Sequence, residues 1–181
     1  IGATLFSAHE TGSDNIIKRA DIAMYQAKTD GRNIIRFYDP KMQEIIANRV
    51  NMERELRQAI EQQQFQLYYQ IQVDSSGHPL GAEALIRWIH PKRNMISPLQ
   101  FIPLAEETGL ILPIGQWVLE TACAQLAIWQ KNAHHKHLIL SLNVSAKQLH
   151  QANFVTQVQE AIQHHGVDPT KLKLELTESM L

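Results

Sequence analysis

The sequence predicts an α/β fold built around parallel strands, and three observations carry that prediction. Apolar residues recur with period two through residues 65–73 and 80–88, and Asp74-Ser75-Ser76-Gly77 supplies a turn between them. From residue 97 onward, helical and extended patterns alternate up to a last strand at 172–177. Composition is that of an ordinary globular chain, with 44% hydrophobic and 19% charged residues over 181 positions. Helix–strand alternation implies a sheet covered by helices, with a barrel and a doubly wound sheet as the two options. The first strand pair differs: so short a connection requires antiparallel neighbours, because parallel strands need a longer crossover.

The elements follow in order. A short strand at 2–6 leads to a helix capped by Ser13, in which Ile16, Ile17, Ala20, Ala23, Met24 and Ala27 recur at helical spacing until Gly31 closes it. A β segment at 33–38 follows. Strand, helix and strand are too few to bury a core alone, so residues 1–39 read as the remnant of an α+β domain. Asp39-Pro40 opens a helix to about residue 63, with a stripe of Met42, Ile45, Ile46, Met52, Leu56, Ala59 and Ile60, while Glu53, Arg54, Glu55 and Arg57 are expected in solvent. Residues 40–64 thus form a connecting helix, ordinary or with a signalling role, and 65–181 form the second domain.

In that domain Ser97 and Gln100 have capping-box spacing, Pro98 suits the first helical position and Gly109 ends the helix. Pro103 inside it predicts a kink or a short first segment. A helix at 113–131, a strand at 138–144, a helix at 154–163 closed by Gly166, and a turn at Asp168-Pro169 complete the pattern.

Charge and termini exclude some classes. Seventeen basic and eighteen acidic residues, net charge −1 and no like-charge blocks leave no footprint for duplex nucleic acid. No uninterrupted apolar run approaches the roughly 18 residues of a membrane span, and no basic-then-apolar signal opens the chain. The single Cys123 has no internal partner, which fits a reducing compartment and a cytoplasmic location for this portion, with a membrane anchor elsewhere in the parent left open. Opening on Ile1 within a strand and stopping at Leu181, the chain reads as an excerpt of something longer.

Strand parity selects the candidate site. Glu83, Leu85 and Arg87 share one face of their strand and Ala82, Ala84, Ile86 and Trp88 the other. Ile139, Ser141 and Asn143 likewise oppose Leu138, Leu140, Leu142 and Val144, and Lys173, Glu175 and Thr177 oppose Leu172, Leu174 and Leu176. If the polar faces line a barrel, Glu83, Asn143 and Glu175 converge toward the carboxyl end, where barrel active sites lie. Two carboxylates and an amide oxygen suit Mg²⁺ or Mn²⁺, and Arg87 can grip a phosphate edge. Taken singly, each of these residues is more economically a solvated strand residue.

These positions resemble the EAL domain family of cyclic-di-GMP phosphodiesterases over residues 65–181. The resemblance rests on Tyr68-Tyr69-Gln70, Gly81-Ala82-Glu83-Ala84-Leu85-Ile86-Arg87-Trp88 with His90-Pro91, the run 101–111 from Phe101 to Ile111, Asn143-Val144-Ser145, and Leu174-Glu175-Leu176-Thr177-Glu178-Ser179. It implies part of a modified, TIM-like (β/α)₈ barrel with a first antiparallel strand. It also implies metal-dependent hydrolysis of cyclic-di-GMP to linear pGpG in bacterial second-messenger signalling. Residue by residue, it makes Glu83, Asn143 and Glu175 ligands of Mg²⁺ or Mn²⁺. Glu83, Glu175 and Glu178 become catalytic, Glu178 by steadying a loop, and Gln70, Leu85 and Arg87 become substrate contacts. Ile71 departs from the family's proline. The family's later aspartate pair, lysine, further glutamate and dimerising loop fall beyond Leu181, so the resemblance implies an inactive fragment of a parent able to form homodimers.

The opening run from Arg19 to Lys28, with Gly31-Arg32-Asn33, resembles the end of a GGDEF domain, which makes Lys28 and Arg32 nucleotide-phosphate contacts. An exposed basic helix end is the plainer alternative. An EAL module that binds cyclic-di-GMP or a partner without hydrolysis, and a GGDEF-EAL protein with net cyclase activity, are the competing functions. His134, His135, His137, His164 and His165 lack the fixed spacing of a zinc site, and Cys123 reads as packing.

Overall fold

A computed structural model describes residues 1–7 and 12–176. It divides into two compact units, Ile1–Met52 and Glu53–Leu181.

The first unit contains β1 (Gly2–Ala3), α1 (Ser13–Thr29), β2 (Arg36–Phe37) and the beginning of α2 (Pro40–Glu61). β1 and β2 pair in parallel, Gly2 with Arg36 and Ala3 with Phe37. The expected strands at 2–6 and 33–38 thus shrink to two residues each. Arg32 and Asn33 take left-handed backbone, at φ 62° and 50°, which delays the extended run, while Leu5 and Phe6 lie exposed beyond the pairing. Ser13 is the first helical residue rather than the cap. Gly12 holds the cap position and no side chain bonds the free amides. Of the expected apolar stripe, Ala23 and Ala27 are buried, whereas Ile17 and Met24 are exposed.

The second unit is a five-stranded sheet: β3 (Phe65–Val73), β4 (Pro79–His90), β5 (Asn94–Ile96), β6 (Ile139–Val144) and β7 (Leu172–Leu176). The order is β3-β4-β6-β7, with β5 on β4. β3 and β4 are antiparallel, as the short connection requires, and β4–β6 and β6–β7 are parallel. Asp74 builds the hairpin by accepting from the backbone N–H groups of His78 and Ser76, and the bond from His78 contributes most to holding its carboxyl below the usual range. Crossovers run through α3 (Pro98–Thr108) with α4 (Ile111–Gln130), and through α5 (Ala146–Leu149) with α6 (Phe154–His165) and a 3₁₀ turn at Pro169–Lys171.

Two local expectations can be set against the structure. Ser97 occupies the cap of α3, but its side chain makes no capping bond, and the turn closes through the Gln100 N–H donating to the Ser97 carbonyl. The capping box forms instead at Ser145 and Gln148, opening α5. One helix runs across Pro103 with no short first segment. The bond that Pro103 cannot donate would go to Leu99, the exposed second residue of the helix.

Packing explains why the sheet's outward face is greasy. Ala82, Ala84, Leu140 and Leu142 meet Leu119, Ala122, Cys123 and Leu126 of α4 and Ala161 of α6. Among the described residues α4 is the one helix long and apolar enough to cross a membrane; its place against the sheet accounts for that character. Burial, followed by the nearby Glu120 charge, pushes the Cys123 thiol up to about 11, so it packs rather than reacts. A second cluster surrounds Trp88, which is fully buried, stacks near Phe65 and Phe101 at 6.2 and 5.6 Å, and donates from Nε1 to Gln64 Oε1 at 3.0 Å. Leu56 and Ala59 of α2 are buried too. Glu55, expected in solvent, is instead largely covered, 3.4 Å from Arg93 and 3.8 Å from the buried His90.

Gly81 stands where β4 begins to pair with β6, opposite Ile139. A Cβ there would collide with the Ile139 carbonyl, so Gly81→Val should cost about 3 kcal/mol, read by chemical denaturation, because backbone cannot yield as a flexible side chain does. A cost below about 1 kcal/mol would show that the strands part easily.

Candidate active site

Register brings one face of four strands together. Gln70 of β3 pairs with Glu83 of β4, Glu83 with Ser141 of β6, and Ser141 with Lys173 of β7; one step along, Asn143 pairs with Glu175. Paired residues project to the same side, so these six side chains share a face, as parity predicts.

Glu83 and Asn143, sixty residues apart in sequence, touch: the Asn143 Nδ2 donates to Glu83 Oε1 at 2.6 Å. An amide presents its oxygen by a half-turn about its last bond, and with that turn both residues offer oxygen at one point. Glu175 Oε1 lies 2.8 Å from Lys173 Nζ. The Lys173 ammonium holds the Glu175 carboxyl below the usual glutamate range, partial burial opposing it. Ser141 is fully buried on the same floor. Its hydroxyl lies close enough to Glu175 to favour the charged carboxylate but makes no hydrogen bond of acceptable geometry.

These oxygens fit a hard divalent cation. Among the described residues no three of His, Cys, Asp and Glu gather to hold a metal ion. The carboxylates Glu83 and Glu175 therefore depend on the Asn143 amide between them, and the buried, unpartnered Ser141 hydroxyl shows that the floor of the set is polar.

Beside the ligand set, the carboxyl end of β4 opens on a cavity of about 230 Å³, lined by Leu85, Arg87, Ile102, Glu106, Ile111 and Asn143 among others. Its walls are mostly apolar, with Arg87, Glu106, Asn143, Ser145 and Gln148 as polar points, the makeup of a small-ligand pocket. The Arg87 guanidinium donates to the Ile86 carbonyl and lies 5.6 Å above the Tyr68 ring. It is thus held beside the site and touches neither carboxylate. Leu85 pairs with Tyr68 on the same face. α5 sits at the cavity floor through Gln148, packed where Gly115 has no side chain, and Lys147 donates to the Glu106 and Glu107 carbonyls at the end of α3.

Of the residues singled out in the sequence, Glu83, Asn143, Glu175, Gln70, Leu85 and Arg87 share this face, while Glu178 lies outside the described residues. Lys28 and Arg32 line one concavity of the first unit with Met24 and Ala27. Arg32 stands past the end of α1 with left-handed backbone, so the turn and not helical spacing brings it near Lys28. His165 pairs with Glu120 at 2.9 Å, and His137 faces the Pro79 carbonyl. Tyr68, Ser141, Lys173 and Glu106 carry no role in the sequence reading, although parity alone puts Ser141 and Lys173 on the site face.

Parallel strands led by one antiparallel strand, with acid and amide groups at their carboxyl ends, define an α/β domain of barrel type with a candidate site at its strand ends. The chain belongs to the EAL domain family, whose model matches residues 53–181. The match starts inside α2, ahead of the boundary at 65 drawn from the sequence. Among curated relatives, the bifunctional diguanylate cyclase/cyclic di-GMP phosphodiesterase MucR of Pseudomonas aeruginosa is 41% identical over 99% of the chain and 26% of its own length. The cyclic di-GMP phosphodiesterase PdeR of Escherichia coli is 35% identical over 100% of the chain and 27% of its own length. The solved structure of the PaMucR phosphodiesterase in complex with c-di-GMP superposes with a TM-score of 0.68 at 43% identity, over 71% of this chain and 52% of that one. The chain thus spans about a quarter of the length of these curated relatives.

Proposed function

We propose that the protein carrying this chain hydrolyses cyclic-di-GMP to linear pGpG with Mg²⁺ or Mn²⁺. The observation that carries the reading is the Glu83–Asn143 contact across β4 and β6, on one face with Glu175 and next to the Arg87 cavity. Glu83, Asn143 and Glu175 would hold the metal, in keeping with the metal dependence of EAL domains. When bound, a divalent cation supplies an activated water and neutralises charge growing on the phosphate.

The chain's own residues do the rest. Arg87, tethered over Tyr68, is aimed to pair with a phosphate edge, and the apolar wall beginning at Leu85 receives a base. Gln70, opposite Glu83, adds a polar contact from β3. Glu178 lies outside the described residues, and its catalytic role rests on the family resemblance alone. Three protein oxygens fall short of the six that Mg²⁺ prefers, so water, substrate and residues other than those described complete the shell.

The first unit is read as the end of a GGDEF domain, with Lys28 and Arg32 as phosphate contacts. Similarity to the bifunctional MucR over 99% of the chain, and so through this unit, supports that reading. A reducing, cytoplasmic setting is in keeping with a single buried thiol.

The full-length natural protein, incubated with cyclic-di-GMP and Mg²⁺ or Mn²⁺, is expected to release pGpG, and excess chelator should stop the release. Tight binding of cyclic-di-GMP with no pGpG would replace the enzyme with a binding module.

A further inference from the structure

We propose that Lys173 is a built-in counter-ion of Glu175 that a divalent cation must displace, so that this one side chain sets the metal affinity of the site; the proposal rests on the metal-centre reading above. Lys173 precedes Glu175 by two residues on β7, so both leave the same face of the strand. It pairs in register with Ser141, which pairs with Glu83, and this places its stem level with Glu83 and one layer below Asn143 and Glu175. From there its ammonium reaches Glu175 Oε1 at 2.8 Å, on the carboxylate that the metal reading assigns to the cation.

The charge decides the sign of the effect. At neutral pH a glutamate is ionised with or without a lysine beside it, so the ammonium adds no ligand charge. It does add a positive charge at the oxygen a metal would bind, and two cations on one carboxylate repel. A flexible stem lets the ammonium swing aside, so repulsion appears as weaker affinity rather than exclusion. The Lys173 side chain is 61% exposed, and water and salt screen part of the repulsion. Ser141, whose buried hydroxyl lacks a partner, is the donor placed to replace the ammonium on this floor.

The test is a calorimetric Mn²⁺ titration of the full-length natural protein at neutral pH, in low and high salt, with Lys173→Met, Lys173→Gln, Lys173→Arg and Glu175→Gln beside the unaltered protein. Both neutral variants are expected to bind Mn²⁺ roughly three- to tenfold more tightly at low salt, with the gap narrowing at about 0.5 M salt. Lys173→Arg, which keeps the charge, should stay within about twofold of the unaltered protein, and Glu175→Gln should bind more weakly. If the neutral variants bind no more tightly while Glu175→Gln still weakens binding, the counter-ion role is overturned and the metal centre stands. A gain that ignores salt would trace to packing and overturn it equally. Absence of Mn²⁺ binding by the unaltered protein overturns both readings.

Discussion

Glu83→Ala in the full-length protein is expected to lower the rate of pGpG formation about a thousandfold at saturating metal. Three decades correspond to about 4 kcal/mol of transition-state stabilisation, within what a correctly held cation supplies to phosphate chemistry. The substitution removes a carboxylate charge and also the acceptor of the 2.6 Å bond from Asn143, leaving that amide free to turn. Glu83→Gln separates the two losses, because it keeps a side chain of the same shape opposite Asn143 but gives up the charge. Both variants should be slow if charge is what matters. Glu83 is half-buried and makes no part of the packed core, so melting temperature should barely move. Turnover within tenfold of the unaltered enzyme would remove Glu83 from the ligand set.

The largest expected loss of stability comes from Trp88→Ala, about 4 kcal/mol by urea unfolding followed in the far ultraviolet. Trp88 is fully enclosed, and a truncation at its position leaves a hole bounded by Phe65, Phe101 and His90. It also strands the Gln64 side-chain oxygen that now accepts from the indole. Such a loss is a large share of the 5–15 kcal/mol that holds a typical domain together, so reduced soluble yield is expected as well. Trp88→Phe keeps an aromatic ring among the others and should lose about 2 kcal/mol. A cost under about 1 kcal/mol for the alanine variant would mean that this aromatic cluster contributes little to the fold.

The site face was legible in the sequence because alternation is a local property of an extended chain. Once 80–88, 138–144 and 172–177 read as strands, Glu83, Asn143 and Glu175 had to fall opposite their greasy neighbours. Their meeting was not legible. Sixty residues separate Glu83 from Asn143, and only the parallel register of β4 and β6 closes that distance. The capping signals show the same division. Ser97 with Gln100 and Ser145 with Gln148 have identical spacing, yet only the buried second pair forms the box, because water competes for the exposed first one. β5 was missed for a related reason: His90-Pro91-Lys92-Arg93-Asn94 looks like a loop. In the structure the His90 ring accepts from the Lys92 and Arg93 amides and Asn94 turns left-handed, folding the chain back on β4. Glu55 looked like a solvated helix position because its partner, Arg93, lies 38 residues away.

Gly115 ties a distant helix to the chemistry. The Gln148 amide lies where any side chain at 115 would stand, and from there it accepts the Ser145 N–H, two residues from Asn143. The aim of Asn143 on β6 therefore depends on an atom that α4 lacks. A single methyl group added there would press on Gln148 first, then on the Ser145 turn, and would reach Asn143 through the backbone without touching it. On the proposed function, a substitution remote from Glu83, Asn143 and Glu175 would then be read, in an activity assay, as damage to the site they form.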